Sequence, residues 1–511
     1  MTANRVQNGT AGPESPRTVL IGSSSSCVAM AAALQAVDGP MIDGMVTLDG
    51  SRGEAGELPV LGSVHTVGLI CRQRGITRAI VSLPADCGGW HGEITRQLRA
   101  EGVQECVVRP LLEQIEEPGT QGSQPSGGLE TRYQGVDLSE LVGRTPHGID
   151  EELVGRTIRG KVVLVTGAGG SIGSELVRRI ARFGPERIVL MERSENALFE
   201  IDRQLGETHP EIARTALLHD VVDAERTLSH LETWQPSVVF HAAAHKHVPL
   251  MEDHPGHAVT NNLFGTKSIA DASVACNAER FVLVSTDKAV NPASVMGATK
   301  RLAERYVQAL GERVSTRMSM VRFGNVLGSN GSVLTIWSEQ IERGAPITVT
   351  DERMTRFFMT IPEAAMLVLQ AGAMSGTEDR RGEVFVLDMG KPLSILMIAK
   401  RFVRACGREP VVGTSARLAA GDGRVPIVVT GARPGEKLHE QLSYDAESLC
   451  TTAHTGIWRL EHENAPNADA VGAMVAELDA ARMGTRGAVL DAMSRHLPGL
   501  VAGSKLPVAA A

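Results

Sequence analysis

The stretch Lys161–Gly173, KVVLVTGAGGSIG, constrains the fold of this chain more than any other. Val162 to Thr166 are apolar or β-branched throughout, as suits a strand buried on both faces of a parallel sheet. Gly167, Gly170 and Gly173 follow at intervals of three, and Ile172, Leu176, Val177 and Ile180 then recur with helical spacing. Strand, glycine turn and helix, in that order, make a credible dinucleotide site of an otherwise weak glycine motif. Gly167 permits the tight turn, Gly170 lets backbone approach a pyrophosphate, and Gly173 lets helix and strand pack closely. The N–H groups at the helix start, around Ser171 and Ile172, favour the phosphate charge.

Composition narrows the class. At 511 residues the chain suggests about three domains. Hydrophobic content of 42% with 22% charge is that of a soluble globular protein. A net charge of −8 without a long basic run argues against a nucleic-acid partner. Seven cysteines with no C-x-x-C pair argue against zinc and fit reduced thiols. No run approaches the roughly 20 apolar residues of a membrane span, and the polar N-terminus has no secretory core. A cytoplasmic protein without membrane insertion is the expectation.

Residues 1–16 read as a disordered lead. Residues 17–112 alternate as a small doubly wound α/β unit, with strands expected at Thr18–Ile21, Met45–Leu48, Arg78–Leu83 and Glu105–Val108. Its turn, Gly22 followed by four serines, keeps one glycine of the motif and is a poor pyrophosphate cradle. A regulatory or assembly role is expected of this unit. Residues 113–140 read as a linker, rich in Gly, Ser, Pro and Gln. A larger α/β unit is expected over 141–464. Residues 465–511 read as a helical tail covering either the core or a neighbouring subunit. The pentad LVGRT occurs at 141–145 and 153–157, too short to mark a repeat.

Polar clusters of the larger unit fall at expected strand ends, where sheets of this kind bind cofactor and substrate. Glu192 stands where an acid can bind the adenosine ribose, whereas Arg193 and Ser194 could hold a 2′-phosphate; NAD and NADP both stay open. Asp220 and Val221 suit the adenine edge. Ala242, Ala243 and Ala244 would let the backbone approach a cofactor closely. Thr286, Asp287 and Lys288 place three reactive side chains at one strand end, where a desolvated lysine can act as base and a carboxyl as acid. Met296-x-x-x-Lys300 occupies the place of the Tyr-x-x-x-Lys of many short-chain dehydrogenases, and methionine cannot transfer a proton. None of Tyr133, Tyr306 and Tyr444 has a lysine four residues on. Either the site is inactive or Asp287 and Lys288 carry the proton work. His245 and His247 lack a third metal ligand and read as structural, so no metal is expected.

The ordered blocks GAGGSIG (167–173), HAAAHKHVPLME (241–252), STDKAVNP (285–292), MGATK (296–300), RFGNVLGSNGSV (322–333), RMTRFF (353–358) and GARPGEKLHE (431–440) carry a family resemblance. Over about 136–445 the chain resembles the nucleotide-sugar 4,6-dehydratases, the polysaccharide-biosynthesis branch of the extended short-chain dehydrogenases. The unit at 17–112 is similar to the degenerate nucleotide-binding domain of the long membrane-anchored members, whose transmembrane helices are missing here. The resemblance implies two Rossmann-like doubly wound parallel-sheet units, the second with a smaller substrate-binding part mainly over 330–460. It also implies a UDP-hexose substrate, UDP-N-acetylglucosamine above all, and a homo-oligomer.

In such enzymes the sugar is oxidised at C4, loses water across C5–C6, and is reduced at C6 by the same hydride. By resemblance, Asp287 protonates the departing C6 hydroxyl, Lys288 abstracts the C5 proton, Thr286 holds the C4 oxygen and Lys300 binds the nicotinamide ribose. Long members also carry methionine at 296, which leaves the C4 proton acceptor open between Asp287 and Lys288. Lys246, Asn262, Asn325, Arg353, Arg356, Arg433 and Glu436 match positions that contact the nucleotide sugar. Arginines suit a diphosphate bidentately, and Glu436 suits ribose hydroxyls. The rivals are a nucleotide-sugar 4-epimerase and a non-catalytic NAD(P)-sensing binding protein.

Overall fold

In a computed structural model, residues 17–35, 42–48, 58–82, 91–107, 138–144, 146–376, 382–413, 423–444, 448–461, 466–497 and 500 are described. The expected lead at 1–16 and all but the end of the expected linker lie outside them. Two units are present, Met1–Gln124 and Pro125–Ala511.

The first unit is a five-stranded parallel sheet. Its order is Val60–Ser63, Ile42–Thr47, Thr18–Gly22, Arg78–Ser82 and Gln104–Val107. The central strand is wholly buried, as its TVLI run requires. A Cβ on Gly22 would stand 2.1 Å from the Ser82 carbonyl, so the surviving glycine of the serine-rich turn is needed for packing.

The second unit is built on a nine-stranded sheet. In spatial order its strands are Ser448–Thr451, Ile457–Glu461, Glu383–Leu387, Arg317–Arg322, Arg280–Val284, Val238–His241, Val162–Thr166, Arg187–Glu192 and Ala213–Leu218. The middle strands are buried nearly end to end, whereas the edge strand Ala213–Leu218 mixes exposed and half-buried residues. Strand order reverses between Val162–Thr166 and Val238–His241, which pair in parallel. Ligands of open α/β sheets bind at such a crevice. The glycine turn and the alanine loop leave the sheet there.

The structure departs from the sequence reading in two places and, for the tail, takes one of the two coverings expected. Glu383–Leu387 returns to the main sheet, and the hairpin Ser448–Glu461 extends it antiparallel, so the sheet is mixed and the substrate part is not a contiguous lobe. Leu138–Val142 is already helical inside the expected linker, because Leu141 and Val142 are buried with Trp337 and Phe402. The tail helices Ala468–Ala481 and Arg486–His496 bury Val471, Met474, Leu478, Val489 and Met493 in the core of their own chain. Arg305 Nη1 donates to the His496 carbonyl at 2.7 Å, tying the tail to the helix Val295–Gly311.

Candidate active site

The glycine turn is shaped by backbone contacts. Gly167 has φ of 63°, the left-handed region that suits glycine, and a Cβ there would lie 2.8 Å from the Ala243 nitrogen. A Cβ on Gly173 would stand 2.0 Å from the Gly167 carbonyl oxygen, which holds the helix Ser171–Ala181 against the turn. Gly170 differs. A Cβ there would meet protein only at the Gly167 oxygen, 3.2 Å away, and the residue lines a cleft of about 520 Å³. That side chain would fill the space a pyrophosphate takes, so the residues present fit a dinucleotide.

Gly173→Ala should therefore destabilise the second unit by roughly 1–3 kcal/mol through overpacking and strip the purified protein of bound dinucleotide. Wild-type cofactor content in the variant would show that close packing at Gly173 is not required.

The cleft is walled by Gly170, Ser171, Ile172 and Gly173, by Ala242, Ala244 and Lys246, and by Thr286, Lys288, Met296, Lys300 and Asn325. Lys288 Nζ donates to Asp287 Oδ1 and to Asn325 Oδ1, each at 2.9 Å. Thr286 Oγ1 donates to the same Asp287 oxygen at 2.9 Å. Asp287 is fully buried, and among the described residues its Oδ2 has no hydrogen-bond partner. That oxygen would lie 3.2 Å from a Cβ on Gly324, a cleft-lining residue with no side chain to cover it.

Lys300 Nζ donates to the Val284 carbonyl at 2.7 Å. Burial pulls its pKa down to about 8, against the opposing pull of Glu304. Met296 lies one helical turn before it, buried and facing the same cleft.

A second cavity of about 170 Å³ shares Lys288 and Asn325 with the cleft and adds Arg356, Glu436, Lys437 and Glu440. Arg356 is buried and gives its N–H groups to the carbonyls of Thr355, Lys437 and Leu438, so it shapes this cavity through backbone.

Other residues singled out in the sequence, Lys246 excepted, stand away from the cleft wall. Asn262 is fully buried, accepts from the His245 N–H at 2.8 Å and donates to the His245 carbonyl and to Thr299, which makes it a brace for the alanine loop. Glu192 turns back to accept from the N–H groups of Gly169 and Ser194. Arg193 lies 3.7 Å from Asp220 in an exposed pair, and Val221 is in the core. Arg353 is forked onto Asp351, and the exposed Arg433 lies 3.7 Å from Glu436. Lys246 Nζ donates to the Asn330 carbonyl and is held below the usual lysine range by burial. Among the described residues no cluster of His, Cys, Asp and Glu could hold a metal.

The sequence reading missed the support beneath this site. Glu304 is fully buried and accepts from Arg322 Nε and Nη2, each at 2.8 Å, and from Ser285 Oγ at 2.7 Å. Burial would raise its pKa, but Arg322, Arg301 and Ser285 together hold it down at about 2. The signal was available: Arg322 is a charge inside the apolar run of a central strand, and a buried charge needs a partner.

Comparison with known proteins places the chain. The model of the polysaccharide biosynthesis protein family matches residues 163–462, more than half of its length. The chain belongs to this family. It is 42% identical to the capsular polysaccharide biosynthesis protein CapD of Staphylococcus aureus over 75% of its own length, and spans 60% of that relative. It is 32% identical to a UDP-N-acetylglucosamine 4,6-dehydratase (inverting) of Campylobacter jejuni, over 57% of this chain and 80% of that one. The X-ray structure of Pen from Bacillus thuringiensis superposes with a TM-score of 0.53 at 29% identity, covering 60% of this chain and 91% of that one. Among the described residues no helix is long and apolar enough to cross a membrane.

Proposed function

We propose that the second unit is an NAD(P)-dependent nucleotide-sugar 4,6-dehydratase acting on a UDP-hexose, UDP-N-acetylglucosamine first among them, and releasing a UDP-4-keto-6-deoxy sugar. The observation that carries this reading is the Asp287–Lys288 pair, a carboxyl and an amine 2.9 Å apart, with the amine at the junction of cleft and second cavity and the buried carboxyl just behind it. Dehydration needs an acid and a base within reach of neighbouring carbons. Epimerisation at C4 needs no acid for a C6 hydroxyl. The Campylobacter jejuni relative, a dehydratase by name, supports the same choice.

When bound, the nicotinamide supplies a hydride acceptor for C4 and the same hydride for C6. The chain supplies the proton steps. Asp287 receives the C4 hydroxyl proton through Thr286, whose hydroxyl already donates to it. Losing the carboxylate charge favours the free amine at Lys288, which gives up its ammonium proton to solvent and then takes the C5 proton acidified by the C4 carbonyl. Asp287 then protonates the C6 hydroxyl, which leaves as water. Lys288 returns a proton to C5 as C6 is reduced and regains one from solvent beside the restored Asp287 carboxylate, so both groups end as they began. Lys300 holds the nicotinamide ribose, and Asn325, Arg356 and Glu436 shape the sugar-nucleotide cavity.

The cofactor-loaded protein, incubated with UDP-N-acetylglucosamine, should yield a product lighter by one water in mass spectrometry. An unchanged mass with inverted C4 would select the epimerase. No turnover of any UDP-hexose would select the binding protein.

A further inference from the structure

Tyr444 was set aside in the sequence because no lysine follows it at the motif spacing. The fold brings it beneath the catalytic turn. Its hydroxyl donates to the Ala289 carbonyl at 3.1 Å and accepts from the Asn291 backbone N–H. Its ring lies over the guanidinium of Arg301 at 5.0 Å and of Arg322 at 5.9 Å, the two arginines that hold Glu304.

Two further side chains of the same segment grip the same turn. Lys437 Nζ donates to the Val290 carbonyl at 2.7 Å. Asn291 Nδ2 donates to Gln441 Oε1 at 2.9 Å. Ala289, Val290 and Asn291 are thus each tied to residues 437–444, the segment that follows Glu436 in the sugar-nucleotide cavity. Asn291 has φ of 41°, an uncommon conformation that these bonds hold in place.

We propose that Tyr444 is a positioning residue: it latches the turn after Lys288 to the substrate-binding segment, so that Lys288 is held against Asp287 when a nucleotide sugar occupies that segment. The role rests on the dehydratase reading, but the latch can be tested without it. The hydroxyl fixes the turn one residue beyond Lys288, and the stacked ring ties that turn to the Glu304–Arg322 pair that carries Ser285 on its other side. The four-residue stretch Ser285–Lys288 is clamped at both ends.

Tyr444→Phe removes the hydroxyl bonds and keeps the ring over both arginines; Tyr444→Leu removes both. In the cofactor-loaded protein, Tyr444→Phe should lower kcat about tenfold with KM changed less than about twofold. The isotope effect from deuterium at C5 should rise, because a loosened Lys288 makes proton abstraction slower relative to other steps. Hydrogen–deuterium exchange of peptides spanning 285–292 should quicken in the same variant, with peptides of the glycine turn unchanged. Tyr444→Leu should show both effects more strongly and a lower melting temperature. A purely structural role would lower the melting temperature and leave the isotope effect and kcat per loaded, folded molecule at wild-type values, which overturns the proposal. Unchanged exchange over 285–292 in Tyr444→Phe overturns it as well, whether or not the wild type dehydrates a sugar. Failure of the wild type to turn over any UDP-hexose overturns the dehydratase reading alone.

Discussion

Replacing Lys288 by methionine should lower turnover of a UDP-hexose by about 10²–10⁴-fold, the range expected for loss of a positioned general base. Bound dinucleotide should stay at the wild-type level, because Gly170–Gly173 and Lys300 stand on other walls of the cleft. Methionine keeps the stem of the side chain and loses the amine, so packing is largely conserved. The cost falls on Asp287, whose buried carboxylate loses the cation it is paired with. The decisive measurement is incorporation of solvent deuterium at C5 of the product, alongside cofactor content by absorbance. Exchange persisting in the variant would assign the base elsewhere.

Glu304→Ala should be the most destabilising single change at the site, costing about 3–5 kcal/mol, because it strands the fully buried Arg322 guanidinium without its counter-charge. The double variant Glu304→Leu with Arg322→Met should recover most of that loss, since apolar replacement of a buried pair is often neutral. Tryptophan fluorescence in urea can follow this, because Trp234, Trp337 and Trp458 all lie in the second unit. Acid provides an independent check. The folded pKa of Glu304, about 2, lies below the ordinary value of 4.5. The pair therefore contributes full stability above pH 4.5 and loses it as pH falls from there toward 2. Within that window the wild type should shed stability faster than the double variant. Parallel slopes would mean that folding does not lower the pKa of Glu304.

Much of this arrangement was legible in the chain because it is local. The strand Val162–Thr166, the glycine turn and the strand-end residues Thr286–Lys288 declare themselves through runs of a few residues, where buried-strand and turn chemistry act directly. The cleft brings together Gly170, Ala242, Lys288, Lys300 and Asn325 because one sheet delivers all their strand ends to one edge. What was not legible depends on pairing across long separations. Glu304 and Arg322 sit 18 residues apart on a helix and a strand, and Tyr444 reaches Ala289 across 155 residues. No local rule foretells such meetings. Asn262 and Glu192 were read by position alone, and burial shows that their polar atoms face the scaffold. Asp287 lies behind the cleft wall, since its side chain turns inward under Thr286 and Lys288.

The helix that carries Met296 and Lys300 is closed on its outer side by residues 468–496, and its sheet is completed by strands at 383–387 and 448–461. A ribosome emits the glycine turn roughly two hundred residues before the first of those covers and nearly three hundred before the last. The emerging chain can therefore form its glycine-lined crevice early but must hold the apolar back of that helix open until residues 468–496 have been made. Such late, long-range closure slows folding and exposes the chain to aggregation in the interval. Truncation before Ala468 should cost folding yield ahead of any chemistry, so the tail sets how much folded protein is made.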